Sequence, residues 1–123
     1  MTKISRMIQS LEAFASEDLQ RKAWVEKNPD LSIHFWIPEL VCDWFDDTMM
    51  QKSPDELVVI KEITVEQRDI IAPFHESLGE FYDKHYNKNF ETFPHLLLEY
   101  LPWLKLRELA NLTIQKLNRL EKF

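Results

Sequence analysis

The sequence predicts an all-α protein, a compact single-domain bundle of about five to seven helices over residues 1–123. Apolar residues recur at intervals of three and four along most of the chain, which is the spacing of a buried helix face. The chain has one glycine, so the left-handed turns that β-hairpins use are expected to be scarce. Hydrophobic residues make up 45% and charged residues 29%, a balance typical of globular proteins that bury one core.

The N-terminal segment, residues 3–27, predicts two helices or one bent helix. Its apolar positions follow helical spacing, and Ser16 followed by Glu17 and Asp18 is the signal of a new helix start. The sequence Asn28-Pro29-Asp30 then ends this region.

A second helix is predicted from Pro38 to Met49, because proline is tolerated in the first turn of a helix. The short apolar run before it, residues 33–37, fits either helix or strand. A projection at about 100° per residue separates this helix into two arcs. The arc expected to be buried holds Leu40, Val41, Cys42, Trp44, Phe45 and Met49, and the arc expected to face solvent holds Glu39, Asp43, Asp46 and Asp47. Cys42 is therefore predicted to be buried and slow to react.

The middle of the chain contains two helix starts. Ser53 to Glu56 forms a capping box with proline in the first turn, but the β-branched run at 57–63 favours a strand, so a short strand or hairpin stays open there. A second capping box at Thr64 opens a helix over 65–86, which Pro73 is expected to bend. Its predicted buried arc is Ile70, Ile71, Phe74, Leu78, Phe81 and Tyr82, and its acidic stripe is Asp69, Glu76, Glu80 and Asp83.

Two more helices are predicted to open at Phe93-Pro94 and Leu101-Pro102, the last reaching about Leu120.

Charge is unevenly distributed along the chain. Residues 28–104 hold five basic and fifteen acidic side chains, whereas residues 105–123 hold five basic and two acidic ones. The exposed basic stripe of the last helix, Lys105, Lys116 and Arg119, would suit nucleic acid or the acidic middle of its own fold. The net charge of −6 favours the second, so no nucleic-acid partner is expected.

Catalytic and metal chemistry find little support in these residues. A di-metal bundle site needs Glu-x-x-His pairs, and no histidine here has glutamate three residues before it. His75-Glu76 lacks the second histidine of a zinc site, and Gly79 stands alone, which excludes a phosphate-binding loop. We therefore predict no enzyme activity, no metal and no cofactor. An enzyme using His75 or His95 with nearby carboxylates is the weakest alternative.

We expect neither a membrane-spanning segment nor a signal peptide in this sequence. It has no run of 18 apolar residues, and its N-terminal apolar stretch is interrupted by Gln9, Ser10 and Glu12. A lone cysteine builds no disulfide framework. These features predict a cytoplasmic protein with no membrane partner.

The two acidic stripes suggest a docking face for a protein with a basic surface, because acidic side chains speed association with such a partner and fix its register. The alternative is an ordinary solvated surface. A different class of function is a small helical adaptor or regulatory subunit, which would bind a protein through apolar patches around Trp36 and Trp103.

Two segments, "ELVCDWFDDTM" (39–49) and "TVEQRDIIAPFHESL" (64–78), together with the chain's size and acidity, give it a family resemblance. The chain resembles the small acidic immunity proteins that bacteria make against polymorphic or contact-dependent toxins. This resemblance implies a cytoplasmic inhibitor that covers a toxin's active site or a nearby surface, often with carboxylates in place of nucleic-acid phosphates.

Overall fold

The computed structural model describes residues 2–32 and 35–121. Its elements are α1 (Lys3–Ala15), α2 (Glu17–Trp24), α3 (Pro29–Ser32), α4 (Ile37–Cys42), a π-helix (Asp43–Thr48), α5 (Pro54–Val59), α6 (Val65–Lys84), α7 (Asn89–Thr92), a 3₁₀-helix (Pro94–Glu99) and α8 (Leu101–Glu121). Well over half of the chain is helical, and the described residues include no strand. The all-α prediction is therefore confirmed.

The helices begin where side chains supply the hydrogen bonds that a first turn lacks. The Ser16 hydroxyl accepts from the Leu19 N–H at 3.2 Å, which restarts the chain as α2 directly after α1. Reciprocal capping boxes open α5 at Ser53 and α6 at Thr64. The predicted starts of these three helices are confirmed.

In the open segment 57–63, residues 57–59 are helical and residues 60–63 form a turn, so the segment contains no strand. The helix α5 covers Pro54–Val59, and its end is a left-handed turn at Lys61 (φ 63°). Lys27, Met50 and Gln51 also have positive φ, although none is glycine. The described residues include no β-hairpin, and these four left-handed residues instead close helix ends with hydrogen bonds to carbonyls.

The core is built around α8, which packs along α1 and α6. Trp103 is fully buried, and its ring lies 5.8 Å from Trp24, 6.0 Å from Phe14 and 5.4 Å from Phe81. Gln20 is the polar centre of this cluster, which we call the Trp103 core. It donates to the carbonyls of Ala13 and Phe14 at 3.0 and 2.9 Å and accepts from Trp103 Nε1 at 3.1 Å.

The segment predicted as one α-helix over 38–49 changes its winding halfway. After Cys42 it continues as the π-helix, in which the Met49 N–H bonds the Trp44 carbonyl five residues back at 2.8 Å. On an α-helix, the side chains of residues five apart point in directions that differ by about 140°, whereas in a π-turn they project from nearly the same side. The wider turn thus allows both Trp44 and Met49 to be fully buried.

The run 33–37 fitted either helix or strand in the sequence. Residues 33 and 34 lie outside the described ranges, and Ile37 begins α4.

Candidate functional site

Seven of the eight acidic residues predicted to form the docking face are exposed, and Asp43 is half-buried. The exposed seven are Glu39, Asp46, Asp47, Asp69, Glu76, Glu80 and Asp83. Their placement in solvent is confirmed, while their role in binding stays a prediction.

Three of the eight carboxylates are already neutralised by neighbours. Asp43 pairs with Arg6 of α1, which ties the π-helix to the first helix. Asp69 pairs with Arg68 at 3.1 Å, and Glu80 pairs with Lys84 at 3.3 Å. Within the part of the chain that the structure describes, the other five make no ion pair: Glu39, Asp46, Asp47, Glu76 and Asp83.

The segment 37–48 lies between two grooves. A groove of about 340 Å³ toward α1 is lined by Arg6, Gln9, Ser10, Ala13, Phe35, Glu39, Leu40, Asp43 and Asp47. A groove of about 420 Å³ toward α6 is lined by Val41, Cys42, Phe45, Asp46, Gly79, Tyr82 and Asp83, and we call it the Cys42 groove. It brings together one unpaired carboxylate from each of the two predicted acidic stripes, Asp46 and Asp83.

Cys42 is exposed at this groove, so the prediction of a buried thiol is wrong. That prediction assigned the core an arc of about 200°. The side chains that the core covers, from Leu40 through Trp44 to Val41, span only about 100°, and Cys42 projects about 100° beyond Val41. Partial burial, followed by the negative charge of Asp46, raises the pKa of the Cys42 thiol and keeps it protonated near neutral pH.

The two aromatic residues that line the Cys42 groove, Phe45 and Tyr82, each pack against a second ring. The Phe45 ring meets His75 edge-on at 5.1 Å, and the Tyr82 ring stacks on Tyr86 at 4.8 Å. Tyr82 was expected in the buried arc of α6, but it is exposed, because α6 turns this side toward the groove rather than the core.

His75 fastens the π-helix to α6. Its Nδ1 accepts a hydrogen bond from Trp44 Nε1 at 3.1 Å, which requires a ring that is unprotonated at this nitrogen. Burial lowers the pKa of His75, and the charge of Glu76 opposes that shift. The neutral form is therefore the one that supports this contact near neutral pH.

Gly79 is the chain's one glycine, and it lies on the floor of the Cys42 groove inside α6. A Cβ built there would meet Phe45 Cζ at 3.9 Å, which is ordinary van der Waals contact. Its φ is not positive. Glycine inside a helix costs about 0.5–1 kcal/mol relative to alanine, so this position gives up stability that neither backbone nor packing requires.

Apolar patches were predicted around Trp36 and Trp103, but only one of these two side chains reaches the surface. Trp103 is 0% exposed in the core, whereas Trp36 is 44% exposed. Residue type alone does not show which side chains the neighbouring elements cover, so the sequence did not separate the two tryptophans.

The basic stripe of α8 stays in solvent. Lys105, Lys116 and Arg119 are exposed and make no ion pair with any residue in the described ranges. Lys105 shares a groove of about 350 Å³ between α6 and α8 with Glu80.

No group of three or more metal-ligating side chains occurs among the residues that the structure describes. No helix in the same ranges has the length and apolar character needed to cross a membrane.

No protein-family model matches the chain, and no curated protein or solved structure matches it. Sequence reasoning found the two acidic stripes but missed that Cys42, Tyr82 and Gly79 join them in one groove. The one signal that could have pointed to Gly79 is its cost, because a glycine inside a helix is about 1 kcal/mol less favourable than alanine.

Proposed function

We propose that this chain is a non-enzymatic protein-binding module that docks a basic partner on the side formed by α4, the π-helix and α6. The observation that carries the proposal is the set of exposed carboxylates around the Cys42 groove, Asp46, Asp83 and the neighbouring Glu76, which make no ion pair within the described residues. Like charges along one helix face repel each other by a few tenths of a kcal/mol per pair. A partner with basic side chains would remove that repulsion.

The most specific form of this proposal is an immunity protein that neutralises a bacterial toxin in the cytoplasm. It is supported by the resemblance of residues 39–49 and 64–78 to such proteins and by the net charge of −6. Acidic faces suit a toxin that acts on nucleic acid, because carboxylates occupy the basic surface that would bind phosphate.

The first test uses the protein encoded beside this chain's gene as the candidate partner, with association measured by stopped-flow at low and high salt. We expect the association rate to fall at least tenfold as salt rises, because exposed charges more than about 10 Å apart are screened at ~0.1 M ionic strength. Co-expression with that protein should also restore growth of cells that it poisons. A partner that binds but harms no cell would overturn the immunity role and leave the docking role standing.

Charge reversal locates the face. The triple variant Asp46→Lys, Glu76→Lys, Asp83→Lys should slow association strongly while leaving the helical spectrum unchanged. A matched control with the same change of charge, Glu12→Lys, Glu26→Lys, Glu108→Lys, alters exposed residues outside the Cys42 groove. Equal slowing by both variants would show a general charge effect and contradict a localised docking face.

An adaptor that binds through apolar contacts is the second candidate. It is favoured by the apolar groove between α6 and α8, where Leu101 is 60% exposed beside Leu106 and Leu109. This alternative predicts that binding is insensitive to salt and is lost on Leu101→Ser or Trp36→Ala. The acidic docking face predicts the reverse on both counts.

A further inference from the structure

The placement of Gly79 is the observation that goes furthest beyond the docking face. Four positions with left-handed backbone, Lys27, Met50, Gln51 and Lys61, would relieve strain as glycine, yet the chain has its one glycine inside α6. Gly79 lines the Cys42 groove, and a Cβ built there would lie 3.9 Å from Phe45 Cζ, so a side chain longer than that of alanine would crowd the groove lining. Glycine has no side chain and permits a ligand to approach the backbone closely, so its effect here is to leave the floor of the groove open.

The lining of the groove defines what it would accept. Its walls are the rings of Phe45 and Tyr82, and its charges are the carboxylates of Asp46 and Asp83. An apolar side chain would leave both carboxylates without a partner. A planar cation satisfies both features, since a guanidinium stacks on aromatic rings and donates up to five hydrogen bonds.

Arginine fits this combination better than lysine. The lysine ammonium is compact and strongly hydrated, whereas the guanidinium is weakly hydrated, planar and suited to carboxylates that approach from two directions. The walls are also preorganised, because His75 supports Phe45 and Tyr86 supports Tyr82. Preorganised walls reduce the ordering that binding requires.

We propose that the Cys42 groove receives an arginine side chain of the basic partner, an inference that rests on the function proposed above. The guanidinium lies between Phe45 and Tyr82 and pairs with Asp46 and Asp83. Gly79 leaves room for the aliphatic stem over the α6 backbone.

Cys42 supplies a probe of the groove that needs no partner. Native Cys42 is labelled with a cationic reagent, trimethylammonioethyl methanethiosulfonate, and with an anionic one, sulfonatoethyl methanethiosulfonate. The thiolate attacks the sulfenyl sulfur, a disulfide forms and methanesulfinate leaves. Relative to a cysteine peptide, we expect the cationic reagent to be favoured at least fivefold at low salt, and the isosteric pair Asp46→Asn, Asp83→Asn to abolish that preference. A preference that survives this substitution would overturn the assignment of the charge to the groove.

Protection of Cys42 distinguishes the occupants. Labelling by a neutral thiol reagent is repeated with N-acetyl-arginine amide, N-acetyl-lysine amide or N-acetyl-leucine amide at equal concentration. We expect the arginine derivative to slow labelling at least twofold more than the lysine derivative, and the leucine derivative to have no effect. Equal protection by lysine would overturn the choice of arginine, and protection by leucine would make the groove an apolar site.

Filling the groove completes the test. Gly79→Gln should abolish protection by the arginine derivative, whereas the matched Gly79→Ala adds only a contact that the groove tolerates and should retain it. If Gly79→Gln does not fold, the Asp46→Asn, Asp83→Asn pair decides the question, because it leaves the shape of the groove intact.

Failure of this inference and failure of the proposed function are distinguishable. A partner that binds in a salt-dependent way to both wild type and Gly79→Gln at equal rates would keep the docking face and refute the arginine site. Protection of Cys42 by the arginine derivative, with no acceleration of partner binding at low salt, would keep the site and refute the docking face.

Discussion

The Trp103 core and the Cys42 groove both involve α6, but they treat polar atoms in opposite ways. In the core, the amide of Gln20 is fully buried and every hydrogen bond within reach is made, to Trp103 and to two carbonyls. In the groove, Asp46 and Asp83 make no ion pair within the described residues, and a glycine occupies a position where alanine would fit. The first region is therefore where polar groups add to stability, whereas the second leaves two carboxylates without an ion pair and holds a glycine at a cost in stability.

The largest effect on stability is expected from replacing the two tryptophans one at a time. Trp103→Ala should lower the free energy of unfolding by about 3–5 kcal/mol, because it opens a large cavity in the core. Trp36→Ala should lower it by less, about 1–2 kcal/mol, since that residue is 44% exposed and only part of its ring is buried. Urea unfolding followed by circular dichroism measures both. Similar losses in the two variants would contradict the placement of Trp103 in the core and Trp36 outside it.

The second prediction concerns the polar centre of the core. Gln20→Leu keeps the volume but leaves Trp103 Nε1 and the carbonyls of Ala13 and Phe14 without their partner. The expected loss is about 1–3 kcal/mol, the cost of leaving buried polar groups unpaired. The control is Gln9→Leu on the exposed face of α1, which should be near neutral. Equal unfolding midpoints for the two variants would show that the Gln20 network contributes little.

The third prediction moves the glycine. Gly79→Ala should raise the free energy of unfolding by about 0.4–1 kcal/mol, because it restricts the unfolded chain and improves the helix. Lys61→Gly should also stabilise, by about 1 kcal/mol, because it relieves a left-handed backbone at an exposed position. A destabilised Gly79→Ala variant would mean that the fold itself requires glycine, which would remove the argument that the position is kept open for a ligand.

The smallest effect is expected at the contact between the π-helix and α6. The pKa of His75 is below its usual 6.5 in the folded state because of burial, so the folded chain binds fewer protons there than the unfolded chain. Its contribution to stability is therefore complete above about pH 6.5 and is lost as pH falls through the folded pKa.

His75→Asn, whose carboxamide oxygen can accept from Trp44 Nε1 without titrating, is the matched control for that pH dependence. Unfolding free energies are compared from pH 8 to pH 5.5. Wild type should lose stability across this range relative to the variant, and parallel curves would show that His75 does not titrate with folding.

Much of the fold was predictable because its signals are local. A capping side chain accepts a hydrogen bond from a backbone N–H only three residues further along the chain. Ser16, Ser53 and Thr64 can therefore be recognised as helix starts from the local sequence alone. The acidic stripes are local as well, because the periodicity of one helix places Asp46 and Asp83 away from the apolar side of their own elements.

The groove depends on contacts between elements far apart in the chain. The sequence determined the helical class, the helix starts and the exposed carboxylates. Only the tertiary structure decided that α1, α2 and α6 cover Trp103 of α8 while Trp36 stays partly exposed, that Arg6 neutralises Asp43, and that Cys42 faces α6 beside Gly79. The physical reason is that a wheel gives the direction of a side chain around one axis, whereas burial depends on how wide an arc the neighbouring helices cover. The π-turn that buries Trp44 and Met49 together is likewise selected by that packing, because no local signal distinguishes it from an α-helix.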